Sequence, residues 1–302
     1  MAVYNFLRDS AVHIVYGGNR YNIKVTPELS FSQTFAEDAY EVKTLHDQTK
    51  MFQGTSITKA NPADFSFQVA LTREKDESIV KSLLTDYDTS SGEQLLKSFD
   101  LYFVTKESTL KMEGCIITNG DFLFDRGKPL TLSVSGQGKK LSRVGNASFS
   151  LPGSLQSATA TRTPVKATLD VEVGGSDVTN LVSSTLSVQN NINWTPYETL
   201  HNSLSVTNAS NAMYPSDYSL GERVVSGNIT QYLGSNNSST FQSFNTDTSI
   251  AVKTLDQGST FLNANLSNCM FTKRTSVNEV FTQTFDFRLI TSPANLGTTI
   301  TY

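Results

Sequence analysis

Short runs of alternating apolar and polar residues dominate the chain, and they come in two series separated by a stretch that has none. In the first series, residues 12–16 and 21–25 are β-rich runs joined by Gly17-Gly18-Asn19, whose glycines supply the positive φ of a tight hairpin. Leu29, Phe31 and Phe35 then alternate with Ser30, Ser32 and Thr34, which predicts a strand with one apolar face and one face of small hydroxyls. The pattern lapses over 36–59, a long charged stretch read as a loop, and resumes at Phe65, Phe67, Val69 and Leu71. Ile79, Val80, Leu83, Leu84 and Tyr87 fall at helical spacing behind Glu74, Asp76 and Glu77, so 75–87 predicts a helix with acids at its positive end. Strands are expected at 99–105, 110–118 and 130–135, with a turn at Asn119-Gly120-Asp121 and a bend over 126–129.

The second series repeats the first. Val12 to Gly18 lies on Leu169 to Gly175, Leu29 to Phe35 on Leu186 to Ile192, and Tyr40-Glu41 on Tyr197-Glu198, all at one spacing without a gap. Two residues then drop out, after which Thr44-Leu45-His46 meets Thr199-Leu200-His201. A glycine pair, a strand register, an aromatic–acid pair and a histidine agree in order, which points to an internal duplication. Strands are expected at 165–173, 186–194, 224–233, 248–253, 261–271 and 280–289, with a second long polar stretch over 197–223. Where the first series has its helix, the second offers only Ser-Asn-Asn-Ser-Ser-Thr-Phe-Gln-Ser-Phe-Asn, enough for one turn at most. Between the series, 148–164 carries two prolines, a glycine and many Ser, Thr and Ala, and reads as a linker. The expected organisation is therefore a first domain over 1–147, a linker over 148–164 and a second domain over 165–302.

Composition narrows the function. A length of 302 residues suits two domains of ordinary size. Charged residues make up only 17% and the net charge is −4, which argues against a tight grip on nucleic acid. No apolar stretch approaches a bilayer span and the start lacks a leader pattern, so no membrane anchor or export is expected. Cys115 and Cys269 fall one per series in apolar runs, as two buried free thiols at equivalent positions.

Catalytic chemistry is sparse. Of three histidines, His46 and His201 are related by the repeat, which suits a recurring contact better than one catalytic centre. No metal-ligand spacing occurs. Gly136-Gln-Gly138-Lys139-Lys140 lacks the spacing and the following helix of a phosphate loop, and the acid pairs Glu37-Asp38 and Asp86/Asp88 read as solvated loop charges. Trp194 sits on an alternating strand as a core or subunit contact. No cofactor, no metal and no enzymatic activity are expected.

The opening Phe6-Leu-Arg-Asp9, the run from Leu132 to Gly138 and the run from Val188 to Pro196 are similar, in order, to segments of the major tail tube proteins of long-tailed bacteriophages. The T5-like form, with two tube domains in a row, is the nearest likeness. That resemblance implies a mainly β fold of two tandem tail-tube β-sandwich/barrel domains, each with one helix. It implies a virion structural protein, synthesised in the bacterial cytoplasm, whose three chains close a pseudo-hexameric ring. Stacked rings would make a tube around the tape-measure protein and later pass double-stranded DNA without binding it specifically, with tail terminator and baseplate or tip proteins at its ends. Nothing after Leu289 is long enough for the immunoglobulin-like domain that decorates some of these tubes.

Two sets of site residues follow. The polar faces of the matched strands, Ser30, Ser32 and Thr34 with Ser187, Gln189 and Asn191, are expected to line the lumen. The long loops are expected to join successive rings, through Glu37, Asp38, Tyr40, Glu41, Leu45 and His46 in one and Tyr197, Glu198, Leu200 and His201 in the other. The competing readings are another phage tail or baseplate ring component on the same fold and a carbohydrate-active β-sandwich enzyme.

Overall fold

The chain is described here by a computed structural model covering residues 10–40, 54–88, 95–125, 127–146, 148–159, 161–166, 168–194, 214–237, 248–277, 279–290 and 296–302. Its strands are β1 (Ala11–Tyr16), β2 (Asn19–Ile23), β3 (Val25–Ser32), β4 (Phe35–Tyr40), β5 (Gly54–Ala60), β6 (Ala63–Ala70), β7 (Tyr87–Asp88), β8 (Leu95–Leu96), β9 (Phe99–Val104), β10 (Thr109–Asp125), β11 (Thr131–Gly138), β12 (Lys140–Gly145) and β13 (Ser154–Leu155) in the first half. The second half holds β14 (Thr168–Val173), β15 (Ser176–Asp177), β16 (Leu181–Trp194), β17 (Tyr218–Tyr232), β18 (Thr248–Asp256), β19 (Ser259–Ser276), β20 (Thr282–Leu289) and β21 (Ile300–Thr301). One helix, α1 (Ser78–Thr85), lies between β6 and β7. The fold is mainly β, as the alternation predicts.

Two layers face each other in the first half. One runs β2–β1–β9–β10–β12 and the other β3–β6–β11–β10, because the long β10 serves the first layer with its start and the second with its end. The inward residues of the two layers close the core: Phe65 meets Phe99 edge-on at 6.0 Å between ring centres, and Phe31 meets Phe103 at 5.6 Å.

The second half repeats these ladders. β14–β15, β14–β18, β18–β19, β19–β20, β20–β17 and β17–β16 stand where the first half has β1–β2, β1–β9, β9–β10, β10–β11, β11–β6 and β6–β3. Even the hairpin turns agree, with φ of 55° and 77° at Gly17 and Gly18 and of 59° and 78° at Gly174 and Gly175. Traced rung by rung from β3 and β16, Cys269 takes the place of Ile117 rather than of Cys115. Both thiols are free and buried, but they are not equivalent positions.

Several local expectations change. Asn119-Gly120-Asp121 is not a turn but the middle of β10, where a Cβ on Gly120 would stand 2.2 Å from the Leu84 side chain of α1. The glycine is there so that the helix can lie on the sheet. The helix is shorter than 75–87 because Lys75 adopts φ 57°, outside the helical range. Its preceding acids bind elsewhere: Glu74 accepts the Thr163 backbone N–H at 2.8 Å, Asp76 accepts that of Thr159 at 3.1 Å, and Glu77 accepts the Thr72 hydroxyl at 2.8 Å.

The first two of those bonds hold the linker. Residues 148–164 run along the first half as a strap, with Ser154 and Leu155 pairing in parallel with Asn19 and Arg20, and Arg162 on Asp76 at 3.0 Å. Part of the first long stretch is also ordered as strand, since β4 and β5 pair with each other in a separate two-stranded ribbon. In the second long stretch, Tyr218 to Arg223 belong to β17. The remaining loop residues, 41–53 and 195–213, and the second-half segment 238–247 lie outside the described residues.

Candidate assembly surface

The two halves are not beads on a string. The end of β10 pairs with β16, from Asn119↔Gln189 to Asp125↔Ser183, so a single sheet runs β3–β6–β11–β10–β16–β17–β20–β19 through the whole chain. Its inner face carries Phe67, Leu132, Phe122, Leu186, Ile229 and Phe285, all buried. Its other face carries hydroxyls, amides and a few charges that bond along and across the strands. Ser30 and Ser66 share a hydrogen bond of 2.8 Å, Gln137 donates to Asp64 at 3.1 Å, Ser187 donates to Asn119 at 3.4 Å, and Thr230 and Thr284 are 3.1 Å apart. Ser30, Ser32, Ser187, Gln189 and Asn191 all belong to this polar face, away from the core, with Thr34 exposed just past the end of β3. The two guanidinium groups on this face are both paired, Arg274 with Asp286 at 2.7 Å and Arg288 with Glu222.

A buried polar knot locks the seam between the halves. Arg223 on β17 is 3% exposed. It donates to Asn190 Oδ1 at 2.6 Å, to the Thr85 carbonyl at 3.0 Å and to the Leu84 carbonyl at 3.4 Å, while its guanidinium lies 4.3 Å from the centre of the Tyr87 ring. Asn190 donates to the Leu84 and Ile117 carbonyls at 3.2 and 3.0 Å. The helix thus receives at its C-terminal, partly negative end a cation from the other half of the chain. Burial pulls the Arg223 pKa down, with Tyr87 and Asp86 acting against it.

Beside the knot, Trp194 donates to Gln137 at 2.9 Å and Tyr218 donates to the Leu96 carbonyl at 2.8 Å, burial raising the phenol to about 12. Asn190 could have been suspected from sequence as a polar residue at a core-facing step between Val188 and Ile192. Arg223 carried no such sign.

Among the described residues the sheet ends at two open edges, β3 and the second part of β19. Three of the large apolar side chains that the described residues leave exposed, Val277, Val280 and Phe281, fall between β19 and β20, while Met270 stands on the polar face opposite Arg288 and Tyr232 ends β17. Both long stretches leave the sheet at the same end, where β3 and β16 finish and β6 and β17 begin. Glu37, Asp38 and Tyr40 lie on β4 of the ribbon. Glu41, Leu45, His46, Tyr197, Glu198, Leu200 and His201 lie outside the described residues.

His13 is in β1, where burial, then Arg20 and Lys24, hold its pKa below the ordinary value. Gly136 and Gly138 are core-facing rungs of β11 rather than a phosphate loop. Among the described residues no cluster of His, Cys, Asp and Glu could hold a metal ion, and no helix is long and apolar enough to cross a membrane.

A search of curated proteins returned no match. A scan against protein families matches residues 2–302 to the Bacteriophage Baseplate Tube Protein Family. The chain belongs to that family. It is accordingly a phage structural component of the tube or baseplate type and a part of the virion, which agrees with the sequence resemblance at the level of tail-tube-type proteins. The continuous sheet with one polar face, locked seam and open edges is the framework such a component has to work with.

Proposed function

We propose that this protein closes rings edge to edge, the β19 edge of one chain pairing with the β3 edge of the next, and that stacked rings form a tube whose channel is the polar sheet face. The observation that carries this reading is the seam inside the chain. β10 and β16 already make such a joint, and the ladders put β19 and β3 in the corresponding places, so the chain reads as two copies of one tube domain, 1–147 and 165–302, joined by the strap. Transferring the register of the internal seam places Thr272 opposite Ser30 and Arg274 opposite Glu28 of the neighbour. A closed ring leaves no open edge.

Three chains fit the intended traffic. With strands about 4.8 Å apart and tilted by about 40°, a closed sheet of about 24 strands is about 48 Å across, leaving a bore of about 36 Å after side chains. Two chains, about 16 strands, would leave about 20 Å, no wider than the duplex itself. The wall is rich in hydroxyls and amides, and its arginines are already paired, so it offers phosphate no cationic track and lets tape-measure protein and DNA move through.

The family's description, a baseplate tube protein, supports a position at the baseplate. The other reading, a major tail tube of the T5-like kind, gains support from the long stretches at one end of both halves, which suit repeated stacking. Negative-stain images of purified protein test both. Six-lobed rings with a central hole are expected. Long tubes in the absence of other phage proteins favour the major tube, single rings favour a baseplate position, and a persistent monomer at high concentration defeats the proposal.

A further inference from the structure

Where β10 ends and β16 begins, the joint between the halves opens into a cavity of about 440 Å³. That volume lies within the range of about 300–1,000 Å³ of small-molecule sites, which form preferentially at interfaces between domains. Leu123 and Leu130 supply apolar wall from the first half, and Leu169, Leu181 and Val182 from the second. Neighbouring residues of a strand ordinarily face opposite sides. Here the register slips between Leu181 and Ser183, and both Leu181 and Val182 reach the cavity. We infer that this cavity binds a single-chain anionic amphiphile, its alkyl chain against the leucines and its charged head at the mouth. The inference stands on the joint within one chain and is independent of the ring reading.

Two observations select this class of ligand. First, among the described residues that line the cavity the only charged groups are Lys128 and Lys166, both exposed. Leucine and valine walls gain from burying an alkyl chain, and two ammonium groups with no carboxylate beside them in that lining suit an anionic head. A cationic head would meet like charge there. Second, the site is formed in advance. The Val165 N–H donates to the Leu71 carbonyl at 3.1 Å and its carbonyl accepts the Leu130 N–H at 2.8 Å, which fixes the backbone next to Lys166 beside the apolar floor and leaves little to order on binding. Lys128 comes from the turn between β10 and β11 and Lys166 from the start of the second half, so a ligand held by both ties the halves together.

Calorimetric titration of the purified full chain with dodecanoate, kept below its micelle concentration, tests it. One saturable site per chain is expected, with a rise in the unfolding temperature. Decanoate and octanoate should bind more weakly, by about fourfold for each methylene removed. Dodecyl phosphate should displace dodecanoate, whereas inorganic phosphate and dodecyltrimethylammonium should not. The Lys128→Glu/Lys166→Glu variant, which changes exposed side chains only, should lose about tenfold or more in affinity for dodecanoate. Val182→Trp, which fills the cavity without touching charge, should abolish binding; if that variant fails to fold, the lysine pair still decides. Absence of a saturable site would overturn the inference. So would an affinity that ignores chain length, equal binding of the cationic amphiphile, or an unchanged affinity in the lysine variant, each of which marks adsorption elsewhere on the surface.

Discussion

At the residue scale, the decisive groups are those that tie α1 to the second half. Replacing Arg223 by alanine leaves the Thr85 carbonyl and Asn190 Oδ1 without their buried donor and the Leu84 carbonyl with Asn190 alone, and should cost about 3 kcal/mol in a denaturant titration, with the β content of the protein unchanged. A loss within experimental error would show that water replaces the guanidinium. Asp86, at the end of the helix, gives a pH signature. Burial acts to raise its pKa, but bonds from Ser82 at 2.7 Å, Lys97 at 2.9 Å and Thr85 at 3.0 Å outweigh it and hold the carboxyl below its ordinary value. A depressed folded pKa gives stability that is complete above the unfolded value of about 3.9 and lost as pH falls through the folded value. Asp86→Asn should therefore lower stability at neutral pH and shrink its loss on acidification below about pH 4; an unchanged acid limb would remove Asp86 from that role. The sequence could not show these partners, because Arg223 meets a carbonyl 138 residues away and the alternation around it describes only its own strand.

The same contrast holds for elements. Strands that lie on the core, such as β6 with Phe65, Phe67 and Val69 facing inward, were legible because burial on one face enforces the period of two. The β4–β5 ribbon read as a loop because, among the described residues, its strands pair only with each other and need no such pattern. Asn119-Gly120-Asp121 has the chemistry of a turn, and the approach of Leu84 overrode it. The open edges were not legible, since edge pairing uses backbone groups that every sequence has. They are testable as elements. In a Ser30→Cys/Thr272→Cys variant, the transferred register predicts disulfides between chains and covalent trimers under oxidising conditions. Ser32→Cys with Thr272→Cys, one step off, should link poorly. Equal yields from both pairs would mean that the edges meet in another register or do not meet. Cys115 and Cys269 are buried, with thiols whose pKa burial raises, so they should stay silent in this assay.

For the whole molecule, the family match over 2–302 agrees with the resemblance to phage tube proteins carried by the opening residues and by the 132–138 and 188–196 runs. The joint between the halves was not visible, because β10 and β16 meet through main-chain bonds across a strap that reads as a linker. That joint makes the chain one sheet that begins at β3 and ends at β19, which is what the proposed ring requires. Stacking is a separate property: replacing residues 40–46 by a short Gly/Ser turn should leave ring mass unchanged while tubes shorten to single rings, and tubes of ordinary length would take the hairpin out of the joint. The central claim is the closure of three chains into a ring, and native mass spectrometry of the purified full chain addresses it most directly. The account predicts a dominant species at three times the 33.1 kDa chain, whereas a ring of six chains, or a monomer at every concentration, would contradict it.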